Sequence, residues 1–486
     1  MTRTLTILLV GFMLAHAQPA GAREGQNIPD DRLVIDGFRT SGNNITKERI
    51  ILRELVFELG DTIPKLDLIP ALQQSRQNIL NTSLFNFVYL DVEHFPGNRI
   101  IVEITVTERW YIWPVPIVEY AERNFSEFIT NREWDKMVYG ARLKWDNFRG
   151  RNETLVGKIR LGYVNEYSLE YHVPNLGKRQ RHWISTGFNL NHQNEVFVKT
   201  EFNRPVEYKP VERPAQIRYN AFSKYTYRKK HYSTHTIRLD YYNYSVTDSV
   251  VIEDFDHPWG NPRYLGLDPL NGASLTSLGY FKLQYEFRHD VRDSKVYPLD
   301  GFLVKAKAER LGLGIITGFP YPSTRLTGVL MFHEKLPGRF YFYNIMKARY
   351  SSEKTPPHIL NIALGYRMFM SAYEPYVIDG SDFFITKYNL KFQLVKPTTR
   401  TLPLIKMEQF NKVHYAFYIN LFADAGFVHN EFPNPTNTMV NAMQFSSGIG
   451  IDLVTYYDQV IRIDFAINRY REYGIFFHLE TPFYRW

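Results

Sequence analysis

Gly474-Ile475-Phe476-Phe477-His478-Leu479-Glu480-Thr481-Pro482-Phe483 decides the fold. On an extended chain Ile475, Phe477, Leu479 and Phe483 share one face. Gly474, His478 and Glu480 share the other, and Phe476 breaks the rule. The same period-two pattern precedes it. Ile461, Ile463, Phe465 and Ile467 alternate with Arg462, Asp464 and Ala466, and Ile449, Ile451 and Leu453 alternate with Gly448, Gly450 and Asp452. Such alternation marks strands with one apolar and one polar face. A soluble all-β protein would pack the apolar faces together. The chain ends on Phe483, Tyr484 and Trp486, which suits an aromatic girdle at a membrane interface. The favoured reading is a barrel with lipid outside and a polar lumen inside. Its last strand must then meet its first to remove both edges.

Composition supports this. Of 486 residues, 16% are aromatic, with 34 Tyr and 35 Phe. Met1–Arg3 is a basic start, Thr4–Leu14 is apolar, and Ala15-His16-Ala17 fits a signal-peptidase site. Residues 1–17 are therefore expected to be a secretory signal peptide and 18–31 a flexible lead. No later run reaches the roughly 18 apolar residues of a membrane-spanning helix. The absence of cysteine excludes disulfides, thiolate metal sites and cysteine nucleophiles. A net charge of +8 fits either contact with acidic lipid head groups or ordinary solvated loops. The basic clusters Lys178-Arg179-Gln180-Arg181 and Arg228-Lys229-Lys230 lack the helical or stacking context of a nucleic-acid site.

Residues 32–108 carry a β-α-α-β-β pattern. A strand at Leu33–Phe38 leads to the turn Ser41-Gly42-Asn43-Asn44. Thr46 is the expected N-cap of a short helix bearing Ile50, Ile51, Leu52 and Leu55. A second helix is expected over Ile69–Leu80, with Pro70 in its first turn, before strands Phe85–Val92 and Ile100–Thr107. Residues 109–486 then offer sixteen strand segments and no convincing helix, beginning with Trp110–Tyr120 and Met137–Asn147 and ending with Gly474–Phe483. Connections alternate between long (192–215, 247–274, 351–382, 428–443) and short (148–153, 335–339, 455–459), with 396–413 an exception. Long outer loops and short periplasmic turns are the expected asymmetry, which places the N-terminal domain in the periplasm.

Two constellations stand out. In Trp113-Pro114-Val115-Pro116 the two prolines remove two amide donors from one edge of the first barrel strand. If that edge faces the last strand, the seam is weak; otherwise the prolines merely finish the linker. On the strand His414–Phe427, Phe417, Ile419, Leu421 and Ala423 alternate with Tyr418, Asn420, Phe422 and Asp424, so Asp424 is expected in the lumen. The long connection Ser351–Asp382 either folds into the lumen or stays outside as a solvated loop. No G-x-S-x-G, H-E-x-x-H or Walker loop occurs. His478 with Glu480 reads as lumen wall rather than an acid/base pair. No catalytic, metal-binding or cofactor-binding residues are assigned.

In this order, these features resemble the BamA/TamA family of outer-membrane assembly proteins, the bacterial surface-antigen family. Residues 33–108 look like one POTRA domain. Asp146-Asn147-Phe148-Arg149-Gly150, the run from Arg288 to Asp293 with Pro298 and Asp300-Gly301, and Phe422, Asp424 and Gly426 as F-x-D-x-G match its pattern. The resemblance implies a 16-stranded antiparallel transmembrane barrel behind a small α+β POTRA domain, in the outer membrane. It implies a lateral seam at Trp113, Pro114, Val115, Pro116, Ile475, Phe477, Leu479 and Phe483, where unfolded outer-membrane proteins pair as clients by β-augmentation. The POTRA domain would receive client or partner strands. The family's lid loop carries an Arg-Gly-Tyr/Phe signature whose arginine contacts the F-x-D-x-G aspartate. The match here is Ser371-Ala372-Tyr373, followed by Glu374. The arginine is replaced by Ser371, so Asp424 is expected to lose that partner, and Arg367 is the nearby candidate substitute. A non-catalytic accessory barrel and a diffusion pore are the alternatives to an insertion or translocation factor.

Overall fold

A computed structural model describes residues 31–120, 134–177, 181–211, 214–230, 232–252, 264–268, 272–294, 297–316, 318–366, 368–401, 412–455 and 459–478. The chain divides into two compact units between Arg109 and Trp110.

The first unit contains β1 (Arg32–Ser41), α1 (Glu48–Leu52), β2 (Thr62–Pro64), α2 (Lys65–Asn81), β3 (Phe85–Phe95) and β4 (Arg99–Glu108). Its sheet has the order β2-β1-β4-β3, with β1 and β4 parallel and the other pairs antiparallel. Alternation along β4 buries Ile100, Val102, Ile104 and Val106, and α2 closes the core with Leu68 and Ile79. Three local expectations change. Thr46 does not cap α1: the residue before the helix is Lys47, and the Thr46 hydroxyl and amide both donate to Glu108. Leu55 falls beyond the end of α1. Helix α2 begins at Lys65, so Pro70 lies inside it rather than in its first turn.

The second unit is a 16-stranded antiparallel barrel. Its strands are β5 (Ile112–Tyr120), β6 (Met137–Phe148), β7 (Glu153–Gly162), β8 (Val164–Leu176), β9 (His182–Gln193), β12 (Gln216–Lys230), β13 (Ser233–Val246), β14 (Ser277–Asp290), β15 (Gly301–Leu311), β16 (Ser323–Lys335), β17 (Phe340–Ser351), β18 (Asp382–Thr401), β19 (Lys412–His429), β20 (Gln444–Thr455), β21 (Gln459–Asn468) and β22 (Tyr473–His478). Each pairs with its neighbour in this series. The connection 192–215 is not a plain loop: it holds the hairpin β10 (Val196–Glu201) and β11 (Arg204–Tyr208). A short helix, α3 (Asp248–Ile252), sits in the next long connection. Strands β18 and β19 run on to Thr401 and from Lys412, which shortens the exceptional connection to residues 402–411.

The burial pattern is inverted relative to a soluble protein. Ile475 is 62% exposed, Leu421 61% and Ile449 52%, whereas Asp452 and Asn420 are 0% exposed. A sheet whose apolar residues point out and whose charges point into the ring suits lipid outside and a polar lumen. Among the described residues no helix is long and apolar enough to cross a membrane. The exception in the last strand has a local cause. Phe476 points inward and packs against Ala372, Phe422 and Ala466.

Candidate functional site: seam and lumen lid

The geometry of the seam follows from two hydrogen bonds. The amide of Asp146 donates to the carbonyl of Tyr111 at 2.8 Å. Successive backbone groups on a strand point to opposite edges. Trp113, Val115 and Ile117 therefore direct their N–H and C=O toward β6, and Ile112, Pro114, Pro116 and Val118 direct theirs to the seam. Both prolines fall on the edge facing away from β6, and the β5–β6 ladder runs unbroken past them. At the start of this edge the Trp110 indole N–H donates to the Ile112 carbonyl. On the opposite side, the amide of Asn468 donates to the Glu472 carbonyl at 2.9 Å. With the β21–β22 register, this turns Tyr473, Ile475 and Phe477 toward the seam. Among the described residues no ladder joins β5 to β22.

The expected seam residues do not share one face. Trp113 and Val115 stand opposite Lys144 and Arg142, on the lumen side. Pro114 stands opposite Leu143, on the lipid side. Ile475 and Phe477 stand opposite the outward-facing Phe465 and Ile463. Leu479 and Phe483 lie outside the described residues, as does Glu480.

The connection between β17 and β18 folds inward as a lid. Leu364 and Ile378 bridge its two limbs. Leu364, Met368, Met370, Tyr373 and Ile378 pack against Phe383, Ile385 and Val428 of the wall. Ser371 donates to Asp424 Oδ2 from both its amide and its hydroxyl, each at 2.9 Å. Tyr373 OH donates to Gln444 and to the carbonyl of Phe445, each at 3.1 Å. Asn468 Nδ2 donates to the Ala372 carbonyl at 3.1 Å. Gly426 is the seat of this lid: a β-carbon there would lie 2.5 Å from Met370 Sδ.

Asp424 does not lack an ion partner. Lys387 Nζ on β18 lies 3.3 Å from its Oδ2, because Lys387 and Asp424 are direct partners in the β18–β19 ladder. Ser371 thus supplies the lid's hydrogen bonds and the wall supplies the charge. Arg367, the expected substitute, lies outside the described residues. Lys387 was missed because nothing local joins it to Asp424; its only trace in the sequence is its place in the inward register of β18.

Glu374 is buried, and its Oε2 has no hydrogen-bond partner among the described residues. Burial pushes its carboxyl up to about 8, with Asp424 and Asp464 adding to the rise and Lys387 opposing it. The docked lid therefore holds a proton that a free lid releases near 4.5. Lid docking is strongest below pH 4.5 and weakens as the pH rises from about 4.5 to about 8. Protease cleavage within residues 352–381 should increase over that window, and Glu374→Gln should flatten the dependence.

Further contacts close the end of the lumen at which the lid docks. The β10–β11 turn donates from the Asn203 amide to Asn437 Oδ1 at 2.8 Å, and its carbonyl accepts from the lid's Val377 amide at 2.8 Å. Tyr376 OH on the lid donates to Glu472 Oε1 at 2.6 Å, beside the last strand. A second network lies deeper. Arg462 donates to Asp452 from Nε and Nη2 at 2.6 and 2.7 Å, and Tyr297 OH donates to the same carboxylate at 2.6 Å. Lys391 Nζ lies 3.4 Å from it. Tyr297 comes from the β14–β15 connection, which therefore reaches into the lumen. Among the described residues no group of His, Asp and Glu is arranged to hold a metal.

Fold and site together define a 16-stranded β-barrel that follows an α+β unit, with a lid folded into its lumen and, among the described residues, no ladder across the seam between β5 and β22. No family model and no curated sequence matches the chain. Solved structures do. BamA from Haemophilus ducreyi lacking POTRA domains 1–3 matches with a TM-score of 0.62 at 12% identity, over 92% of this chain and 83% of that one. CdiB from Escherichia coli matches with a TM-score of 0.52 at 10% identity, over 92% and 75%. The chain has the fold that BamA and CdiB share, which is the fold implied by the sequence resemblance.

Proposed function

We propose that this chain inserts or translocates other proteins at the outer membrane, with client strands received at the seam between β5 and β22. The observation that carries this reading is the seam itself: among the described residues no ladder joins β5 to β22, and Pro114 and Pro116 lie on its β5 edge. Two missing donors withhold about 2 kcal/mol from any β5–β22 ladder, so opening costs little. An unsatisfied backbone group in hydrocarbon costs several kcal/mol, and an incoming strand relieves that penalty. The client is an unfolded outer-membrane protein, and its own folding into lipid supplies the driving force. The first unit lies in the periplasm. Its edge strand β3, with Phe87 and Tyr89 exposed, suits binding of an extended partner segment. The outward apolar faces contact outer-membrane lipids. The mechanism requires no catalytic side chain and no cofactor.

The test is reconstitution. A urea-unfolded eight-stranded outer-membrane barrel protein is mixed with phosphatidylethanolamine/phosphatidylglycerol vesicles with and without this chain. Folding, read as the heat-modifiable band, should be at least tenfold faster with it. Equal rates together with stepwise conductance in planar bilayers would replace this reading with a pore; equal rates without conductance would favour an accessory barrel.

A further inference from the structure

A cavity of about 330 Å³ lies at the end of the lumen where the lid docks. Small-molecule sites occupy about 300–1,000 Å³. Three parts of the barrel unit enclose it. The wall supplies Arg160 and Arg218, the β10–β11 hairpin and the residue leading into it supply Phe197 and Glu195, and the lid connection supplies Ile359 and Ile362. Strand register brings the charges there. Arg160 pairs with Glu166, Glu166 with Asn191, Asn191 with Arg218 and Arg218 with Tyr244, across β7, β8, β9, β12 and β13. Directly paired residues share a face, and Glu166, Asn191 and Tyr244 are buried, so that face is the lumen. The carboxylates nearby are already engaged. Glu166 accepts from Arg160 at 3.0 Å and lies 2.6 Å from Lys158 Nζ. Glu195 Oε1 lies 3.7 Å from Lys209, and Glu207 lies 3.2 Å from Lys136. Arg218 has neither an ion pair nor a hydrogen bond among the described residues. Arg160 Nε and Glu195 Oε2 are buried and also lack a hydrogen-bond partner among them. Buried polar atoms are ordinarily paired, and an uncompensated guanidinium inside a cavity favours an anion.

We propose that this cavity binds a small zwitterion, a free apolar or aromatic amino acid or a dipeptide. Its carboxylate meets Arg218, whose planar fork suits a carboxylate. Its ammonium meets Glu195 Oε2, and its apolar side chain lies against Phe197, Ile359 and Ile362. A cation and an anion lining one cavity select a ligand that carries both charges. Glu195 disfavours a phosphate dianion, and Arg218 disfavours an amine that has no carboxylate. The site is separate from the seam and does not depend on the insertion reading. Wall, hairpin and lid each form one side of it, so a ligand that binds only the closed cavity stabilises the docked lid.

The test uses the full chain refolded in detergent micelles, checked by its heat-modifiable band and titrated calorimetrically with L-phenylalanine and with L-leucyl-L-phenylalanine. The expected result is saturable binding at one site per chain. Amidating the dipeptide's carboxylate should weaken binding at least tenfold, and so should acetylating its amine. Arg218→Gln should weaken binding of the unmodified dipeptide at least tenfold and remove its preference over the amide. Ile362→Trp, which fills the cavity from the lid side, should abolish binding. Saturating dipeptide should slow protease cleavage within residues 352–381. If Arg218→Gln does not fold, the modified dipeptides and Ile362→Trp still decide the matter. No binding of either probe overturns the proposal. Binding that is indifferent to amidation and acetylation overturns it, because the contact is then apolar only. Tighter binding of phenyl phosphate than of the dipeptide also overturns it, because the site is then one for phosphate.

Discussion

Replacing Arg462 by leucine is expected to destabilise the barrel by about 3–5 kcal/mol, the usual consequence of removing one partner from a buried ion pair. Asp452 has no solvent exposure, and Arg462 grips both its oxygens from one guanidinium fork. Without the fork the carboxylate keeps Tyr297 OH and the more distant Lys391 amine. These do not replace two charge-assisted bonds in a fixed plane. Arg462→Lys keeps the charge and loses the fork, so it should fall between wild type and Arg462→Leu. The measurement is the urea midpoint of the refolded chain in vesicles, followed by the heat-modifiable band. Tyr297→Phe should cost less alone and should be non-additive with Arg462→Leu, because both act on one carboxylate. Additive costs would show that the β14–β15 connection is not tied to β20 and β21 through Asp452.

The double variant Pro114→Val, Pro116→Val should close the seam. Both positions lie on the β5 edge that faces away from β6, so valine adds two N–H donors there and leaves the β5–β6 ladder unchanged. Valine also suits an extended, lipid-facing position. Two new hydrogen bonds add about 2 kcal/mol, which makes the open seam roughly thirtyfold rarer. The insertion rate in the vesicle assay should fall by a similar factor. Intramolecular crosslinking from a photo-reactive residue at Phe477 into β5 should rise. More crosslinking with an unchanged insertion rate would mean that clients enter elsewhere.

The lid shows where reading the chain locally stopped. Serine in place of the expected arginine suggested a stranded Asp424. In the structure Ser371 meets that carboxylate through its amide and hydroxyl, and Lys387 provides the charge from the neighbouring strand. A side chain was thus exchanged for backbone and register, neither of which a motif displays. The hairpin β10–β11 was read as loop because its short strands, Val196–Glu201 and Arg204–Tyr208, carry too few residues to establish a period. The Thr46 cap failed for a related reason. Its hydroxyl was claimed by Glu108, a residue distant in the chain.

By itself the sequence determined the sixteen barrel strands and which side of each carries its apolar residues. Those properties depend on residues two apart, and a period-two pattern is complete within a single strand. It also showed that two prolines would strip donors from one edge of the first barrel strand. Only the tertiary structure decided which edge that is, which lysine meets Asp424, that Tyr297 reaches Asp452, and that Glu374 is buried with its Oε2 unpaired among the described residues. Each of these depends on the register between strands or on a loop folding back onto a distant wall. Register sets contacts between residues far apart in the chain, and no local pattern encodes them.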